Sequence, residues 1–254
     1  MPRAFAIAAH PDDIEFVMAG TMMRLKEAGH ELHYMTVGNG SCGSSEHDAE
    51  TIRRIRRDEA RAAAAYLGAT FHEALTNDIE IFYDRPMLAR LGSIVREVAP
   101  QILLTHSPQD YMEDHTNTCR LAVTAAFCRG MRNFPVDPPR PAIDEEVTIY
   151  HAQPHGNCDS LRQPILPELF VDVTSVMDRK AEMLVKHQSQ KDWLDRSQGM
   201  NSYVATLREL NAEVGRMSGR FQFAEGWRRH LHLGFSATDS NPLSEAISAF
   251  VRRR

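Results

Sequence analysis

Residues 6–16, Ala-Ile-Ala-Ala-His-Pro-Asp-Asp-Ile-Glu-Phe, set one imidazole and three carboxylates directly behind a run of small apolar side chains. Asp12 and Asp13 are adjacent like charges, and they repel unless solvent, a proton or a cation separates them. A second polar run, Thr-His-Ser-Pro-Gln-Asp-Tyr-Met-Glu-Asp-His-Thr-Asn at 105–117, again mixes imidazoles with carboxylates. Imidazole plus carboxylate is a common ligand set for zinc, and a catalytic zinc site takes three protein ligands and keeps one position open. His10 and Asp13, three residues apart at the entry to a helix, can face one side while Asp12 is aimed elsewhere. The third ligand is expected from the second run, with His115 the leading choice.

The two runs act together only if the fold brings them to one place. Arg3 to Ala9 reads as a buried strand, Phe16 to Ala28 as a helix closed by Gly29, and Glu31 to Val37 as the next strand. The glycine-rich stretch at 38–45 reads as a rim loop, and a long helix from about Asp48 to Leu67 follows, ended by Gly68. Thr70 to Ala74 is a short strand, Pro86 opens a helix that Pro100 stops, Gln101 to Thr105 is an apolar strand, and Thr116 to Arg129 is a helix. This alternation predicts an α/β fold: a Rossmann-like, mostly parallel sheet with helices on both faces. Val147 to Ala152 and Leu169 to Val173 read as further strands, with helices over Thr174 to Gln190 and Tyr203 to Met217. Ligands in such sheets bind beyond the carboxyl ends of the strands, where strand order reverses between the first and fourth. Both His/Asp-rich runs follow those two strands. The first turn is no dinucleotide fingerprint, because its only glycine is Gly20, inside the helix, and a pyrophosphate would meet Asp12 and Asp13.

Composition narrows the classes further. The chain of 254 residues is 43% hydrophobic and 25% charged, enough for one sizeable core. A formal charge of −5 gives no electrostatic footprint for nucleic acid, and no apolar run has the ~20 residues that span a bilayer. Cys42, Cys119, Cys128 and Cys158 form no CxxC pair, which fits a reducing compartment, and the N-terminus lacks the layout of a signal peptide. A cytoplasmic location is the expectation.

Ala-Ala-His-Pro-Asp-Asp-Ile-Glu followed by a glycine-containing helix, with Glu-Asp-His at 113–115 after the fourth strand, resembles the PIG-L/LmbE-like family of zinc-dependent N-deacetylases. The likeness extends through Arg56 and Glu59, through Leu-Thr-Asn-Asp-Ile-Glu-Ile at 75–81, and through residues 170–190; it revives weakly at 223–227. The resemblance implies a Rossmann-like enzyme that removes an acyl group, usually acetyl, from an N-acetylglucosaminyl-type or related small substrate. It implies one zinc ion per chain on His10, Asp13 and His115, Asp12 as general base, and Asp114 as a group that orients an active-site partner. Arg56, Asp78 and His106 are the candidates for contact with the substrate. Met112 stands where many relatives carry a histidine, and methionine can neither transfer a proton nor stabilise charge; His155 is the candidate replacement. Relatives are often oligomeric, so a homo-oligomer is expected. Residues 1–190 are expected to form the deacetylase domain and 191–254 a helical extension completing it.

Blander readings stand beside these. Asp12 or Asp13 can cap a helix, although capping does not require both. His115 can be a surface histidine, Arg56 one of several basic residues on a solvated helix face, and His155 part of a loop. Two rival functions remain as well: a non-catalytic metal- or sugar-binding relative, and a nucleotide-binding Rossmann protein.

Overall fold

The computed structural model describes residues 1–191 and 202–254. The chain builds an eight-stranded sheet of order β3-β2-β1-β4-β5-β7-β6-β8. Its parallel part consists of β1 (Arg3–Ala8), β2 (Glu31–Thr36), β3 (Thr70–His72), β4 (Ile102–Thr105) and β5 (Thr148–Ala152). In β1 the side chains alternate between two cores: Ala4, Ala6 and Ala8 face one layer, Phe5 and Ile7 the other. That alternation requires helices on both faces.

Helices α1 (Asp13–Val17), α2 (Ala19–Glu27) and α3 (Ala49–Leu67) follow the first two strands, and α4 (Arg85–Val98) and α5 (Glu113–Phe127) flank β4. Asp48 accepts from the Thr51 N–H at 2.8 Å to cap α3, and Asp84 does the same for Met87 in α4, beside Pro86. The register sets Ala8 opposite Thr36, and Ile7 opposite Thr105. The turns after β1, β2 and β4 therefore emerge side by side at the carboxyl edge, where the strand order reverses.

Several expectations shift. The helix anticipated over 16–28 is two helices, broken at Met18, because the Gly20 and Thr21 N–H groups donate to the carboxylate of Glu225, at 2.8 and 2.7 Å. Gly20 also lies so close to Val173 that a Cβ would come within 2.4 Å of it. The helix expected over 174–190 is α6 (Met177–Leu184), interrupted at 185–187 before helix resumes at 188. The expected helical extension is also corrected. Besides α7 (Ser202–Ser218) and α8 (Pro242–Ala246), the C-terminal segment supplies β7 (Ala224–Arg229) and β8 (Val251–Arg253). These strands sandwich β6 (Leu169–Asp172), and all their pairings, including β5 with β7, are antiparallel. The sequence of β7 hid its strand because a glutamate stands at its second position; Glu225 is buried with Lys180 at 2.6 Å and the Gly20 and Thr21 N–H groups as its partners. Among the described residues no helix is long and apolar enough to cross a membrane.

Candidate active site

The turn between β1 and α1 is strained. Asp12 has φ 105°, a region that costs a non-glycine residue about 1–3 kcal/mol. The outcome is a separation of the two aspartates. Asp13 turns inward, accepting from the His10 N–H at 2.7 Å. Asp12 turns toward α7, where the Tyr203 hydroxyl donates to it at 2.7 Å, and toward Arg56, 3.4 Å away. Arg56 also donates to the Pro11 carbonyl. Burial raises the Asp12 carboxyl above its usual range, with Arg56 opposing and Asp13 reinforcing the shift.

His10, Asp13 and His115 each offer a ligand atom within 4.8 Å of the others. Asp13 Oδ2 lies 3.5 Å from His10 Nδ1, and Asp13 Oδ1 lies 3.4 Å from His115 Nε2. Ligands about 2.0–2.1 Å from a tetrahedral ion are about 3.3–3.4 Å apart, so this spacing fits zinc. The far nitrogens are tied as well: His10 Nε2 to Asp114 at 2.8 Å, and His115 Nδ1 to Asp110 at 3.0 Å. Such carboxylate–imidazole pairs fix which nitrogen faces a metal. Burial alone lowers His10, but hydrogen bonds to Asp114 and Asp13 outweigh it and raise its pKa to about 9. His115 rises to about 10 in the same way, burial being overcome chiefly by Asp13 and Asp110. Burial pushes Asp13 up, yet His115 and His10 hold it well below the carboxylate range. These acidic and imidazole groups form a cluster that could hold a metal ion.

A second grouping, His106 with Asp110 and His115, fails a geometric test. The rings of His106 and His115 stack 4.2 Å apart and only 8° from parallel, so no single point lies in the plane of both. A nitrogen lone pair points in its ring plane, and these two cannot converge on one ion. The rings of His10 and His115 are instead inclined at 49°. His106 Nε2 accepts from the Ala9 N–H at 2.8 Å, so this nitrogen carries no proton and the ring is a spacer behind His115. It is buried behind the pocket lining, with Nε2 3.4 Å from Asp13 Oδ2.

The pocket above the cluster measures about 370 Å³, and His10, Asp12, Asp13, Arg56, Asp78, His115 and His155 all line it. Asp78 is not free there: its carboxylate accepts from the Gly40 and Cys42 N–H groups at 2.7 and 3.0 Å and so anchors the glycine-rich loop. The glycines make room for Arg56, since a Cβ on Gly40 would come within 2.5 Å of its side chain. Arg56 is buried and held by Asp12 and Pro11, so it positions the turn. His155 is exposed at the pocket and meets Phe16 edge-on at 5.3 Å. A larger groove of about 850 Å³ runs alongside, lined by Arg53, Arg54, Arg57 and Glu73 but by no histidine.

Sequence reasoning missed three contributors. Asp110 orients His115; its signal was an acid in the same polar run, five positions upstream. Tyr203 lies 191 positions from Asp12, and nothing local announces it. Glu15, the third acid of the first run, is fully buried 3.3 Å from His187 and also accepts from Tyr34, so it belongs to the floor beneath Asp12.

A family model described as PIG-L: GlcNAc-PI de-N-acetylase matches residues 5–127. The 4-oxalmesaconate hydratase of Pseudomonas putida is 29% identical over 187 residues, spanning 70% of this chain and 69% of that protein. Diacetylchitobiose deacetylase of Thermococcus kodakarensis is 26% identical over 235 residues, spanning 89% of this chain and 82% of that one. The structure of N,N'-diacetylchitobiose deacetylase from Pyrococcus horikoshii superposes with a TM-score of 0.76 at 24% identity, over 95% of this chain and 88% of that one. At that identity the likeness is one of fold.

Proposed function

Residues 5–127 are a PIG-L family domain, and on that premise we propose that the chain is a zinc-dependent hydrolase removing an acyl group, an acetyl above all, from the amine of an N-acetylglucosaminyl-type or related small substrate. One observation carries the reading: the adjacent aspartates serve different partners in one pocket, Asp13 the imidazoles and Asp12 a tyrosine and an arginine. His10, Asp13 and His115 would hold one zinc ion, which would polarise an acyl oxygen and lower the pKa of water toward ~7.

Asp12 accepts the proton of the attacking water and delivers it to the departing amine. Burial raises its pKa, a shift in the direction that favours holding the proton between the two halves of that task. Tyr203 and Arg56 hold the carboxylate in place, and Asp114 and Asp110 orient the two imidazoles. His155, on the pocket wall, supplies a donor to the oxyanion, the task that Met112 cannot perform.

The hydratase relative favours a second reading, addition of water to an unsaturated acid. Among the described residues the pocket lining holds one guanidinium, Arg56, and Asp12 already engages it, which favours the amide over an anionic substrate. Metal analysis combined with a screen of N-acetylated sugars for acetate release decides between them. The expected result is one zinc per chain and acetate from at least one amino sugar. Hydration of 4-oxalmesaconate without any acetate release overturns the proposal in favour of the second reading, and neither activity points to a binding protein. The same reading includes assembly as a homo-oligomer, which a monomer by light scattering refutes.

A further inference from the structure

We propose that the Asp114 side of the pocket is an apolar subsite, formed by Ile79, Tyr111 and Met112, that seats an aliphatic or aromatic substituent of the substrate. All three side chains line the pocket, and Ile79 and Tyr111 are 60% and 58% exposed. Ile79 is the informative residue. Its φ is 64°, where a β-branched side chain is a genuine outlier and glycine or asparagine is at ease. That backbone aims the Ile79 N–H at Asp114, 2.7 Å away, but a glycine would make the same bond without strain. Nor does the side chain repay the strain by burial, being mostly in solvent. What isoleucine adds over glycine is an apolar surface facing the cavity.

Tyr111 extends that surface, meeting His115 edge-on at 5.6 Å and lying 6.3 Å from His155. The Asp12 side of the cavity carries the polar groups of Arg56, Gln190 and Thr206 and the Tyr203 hydroxyl, beside the ring of Phe16. A ligand that matches both sides is an amphiphile: hydroxyl and amide groups toward Asp12, an apolar group against Ile79. The substrate class rests on the hydrolase reading, and the apolar group sits on either the acyl or the amine component.

Two substrate pairs separate those sources: methyl against phenyl glycosides of N-acetylglucosamine, and N-acetyl against N-hexanoyl glucosamine. Binding is read by calorimetry on the zinc-loaded Asp12→Asn protein, and kcat/KM on the wild type. The bulkier member of one pair is expected to bind better by on the order of tenfold. Ile79→Asn, which accepts the backbone, is expected to erase most of that preference without lowering the melting temperature. Ile79→Gly is a second variant with the same expectation. Equal binding within both pairs, or a preference that survives in Ile79→Asn, overturns the subsite. A preference lost in Ile79→Asn with no acetate released keeps the subsite and removes the hydrolase reading.

Discussion

Two buried polar clusters lie on either side of α1, and they are built by opposite rules. Behind it, Lys180 donates to the Phe16 carbonyl, Asn211 and Glu225 at 2.9, 2.7 and 2.6 Å, and Glu225 also takes the Gly20 and Thr21 N–H groups. Each of the three ammonium donors has a partner, so the knot is closed and asks for nothing more. In front, His10, Asp13 and His115 turn ligand atoms toward one point, and Asp110 keeps a buried oxygen with no hydrogen-bond partner. Saturated charge holds structure, whereas charge left convergent and incompletely paired is what a functional site requires.

That contrast breaks or holds under substitution. The largest expected effect is on turnover: Asp12→Asn keeps its zinc and loses about 10²–10⁴ in kcat, with no rescue by added metal. Asparagine tolerates a positive φ, so stability stays level or rises. Asp13→Asn, in contrast, loses metal and activity together and regains part of both with excess zinc. Zinc content and kcat measured side by side decide it, and an Asp12→Asn protein that loses its metal refutes the division of labour.

Lys180→Met is the matching test behind the helix. Leaving Glu225 buried without its counter-charge is expected to cost about 3–5 kcal/mol by denaturant titration, with kcat of the folded fraction near wild type. A kcat that collapses while stability holds would make the knot part of the site.

Asp110→Asn sharpens the comparison from within the site. It weakens the hold on His115 and lowers zinc affinity by about 10–100-fold in a competition titration, with the fold intact. Unchanged affinity would return Asp110 to the loop.

The smallest effect is on pH dependence. His151, which donates to the His106 carbonyl at 2.9 Å and contacts His230, Cys119 and nearby Arg228, is pulled down to about 4, first by burial and then by His230 and Arg228. Its folded pKa lies below the unfolded ~6.5, so the unfolded chain binds the extra proton between them. Stability is therefore intact above ~6.5 and falls with pH toward about 4, by about 1.4 kcal/mol per unit from this residue. Denaturant midpoints at pH 7.5 and 5 are expected to show a smaller drop for His151→Gln than for wild type. Equal drops would remove His151 as the cause.

The parallel half of the sheet was readable in the sequence, since Arg3 to Ala8 and Ile102 to Thr105 are short, mostly apolar runs and Glu31 to Thr36 follows the helix-ending Gly29. The antiparallel half was only partly readable. Leu169 to Asp172 stood out, but β7 carries Glu225 and Gly226, and its strand character depends on Lys180 and on the close approach of Pro167 to Gly226. The site divides in the same way. His10, Asp13 and His115 were legible because each sits just beyond a strand whose neighbours were foreseeable, and their convergence follows from strand order.

Sequence alone determined the chemistry of the two polar runs and the edge of the sheet at which they meet, because spacing along a strand or helix fixes direction over a few residues. Tertiary structure alone decided which partner each aspartate faces, that His106 stacks rather than converges, that Tyr203 reaches Asp12 across 191 positions, and that Ile79 stands strained at the rim. Those choices depend on distances between elements far apart in the chain, set by packing of the whole core, and no local spacing encodes them.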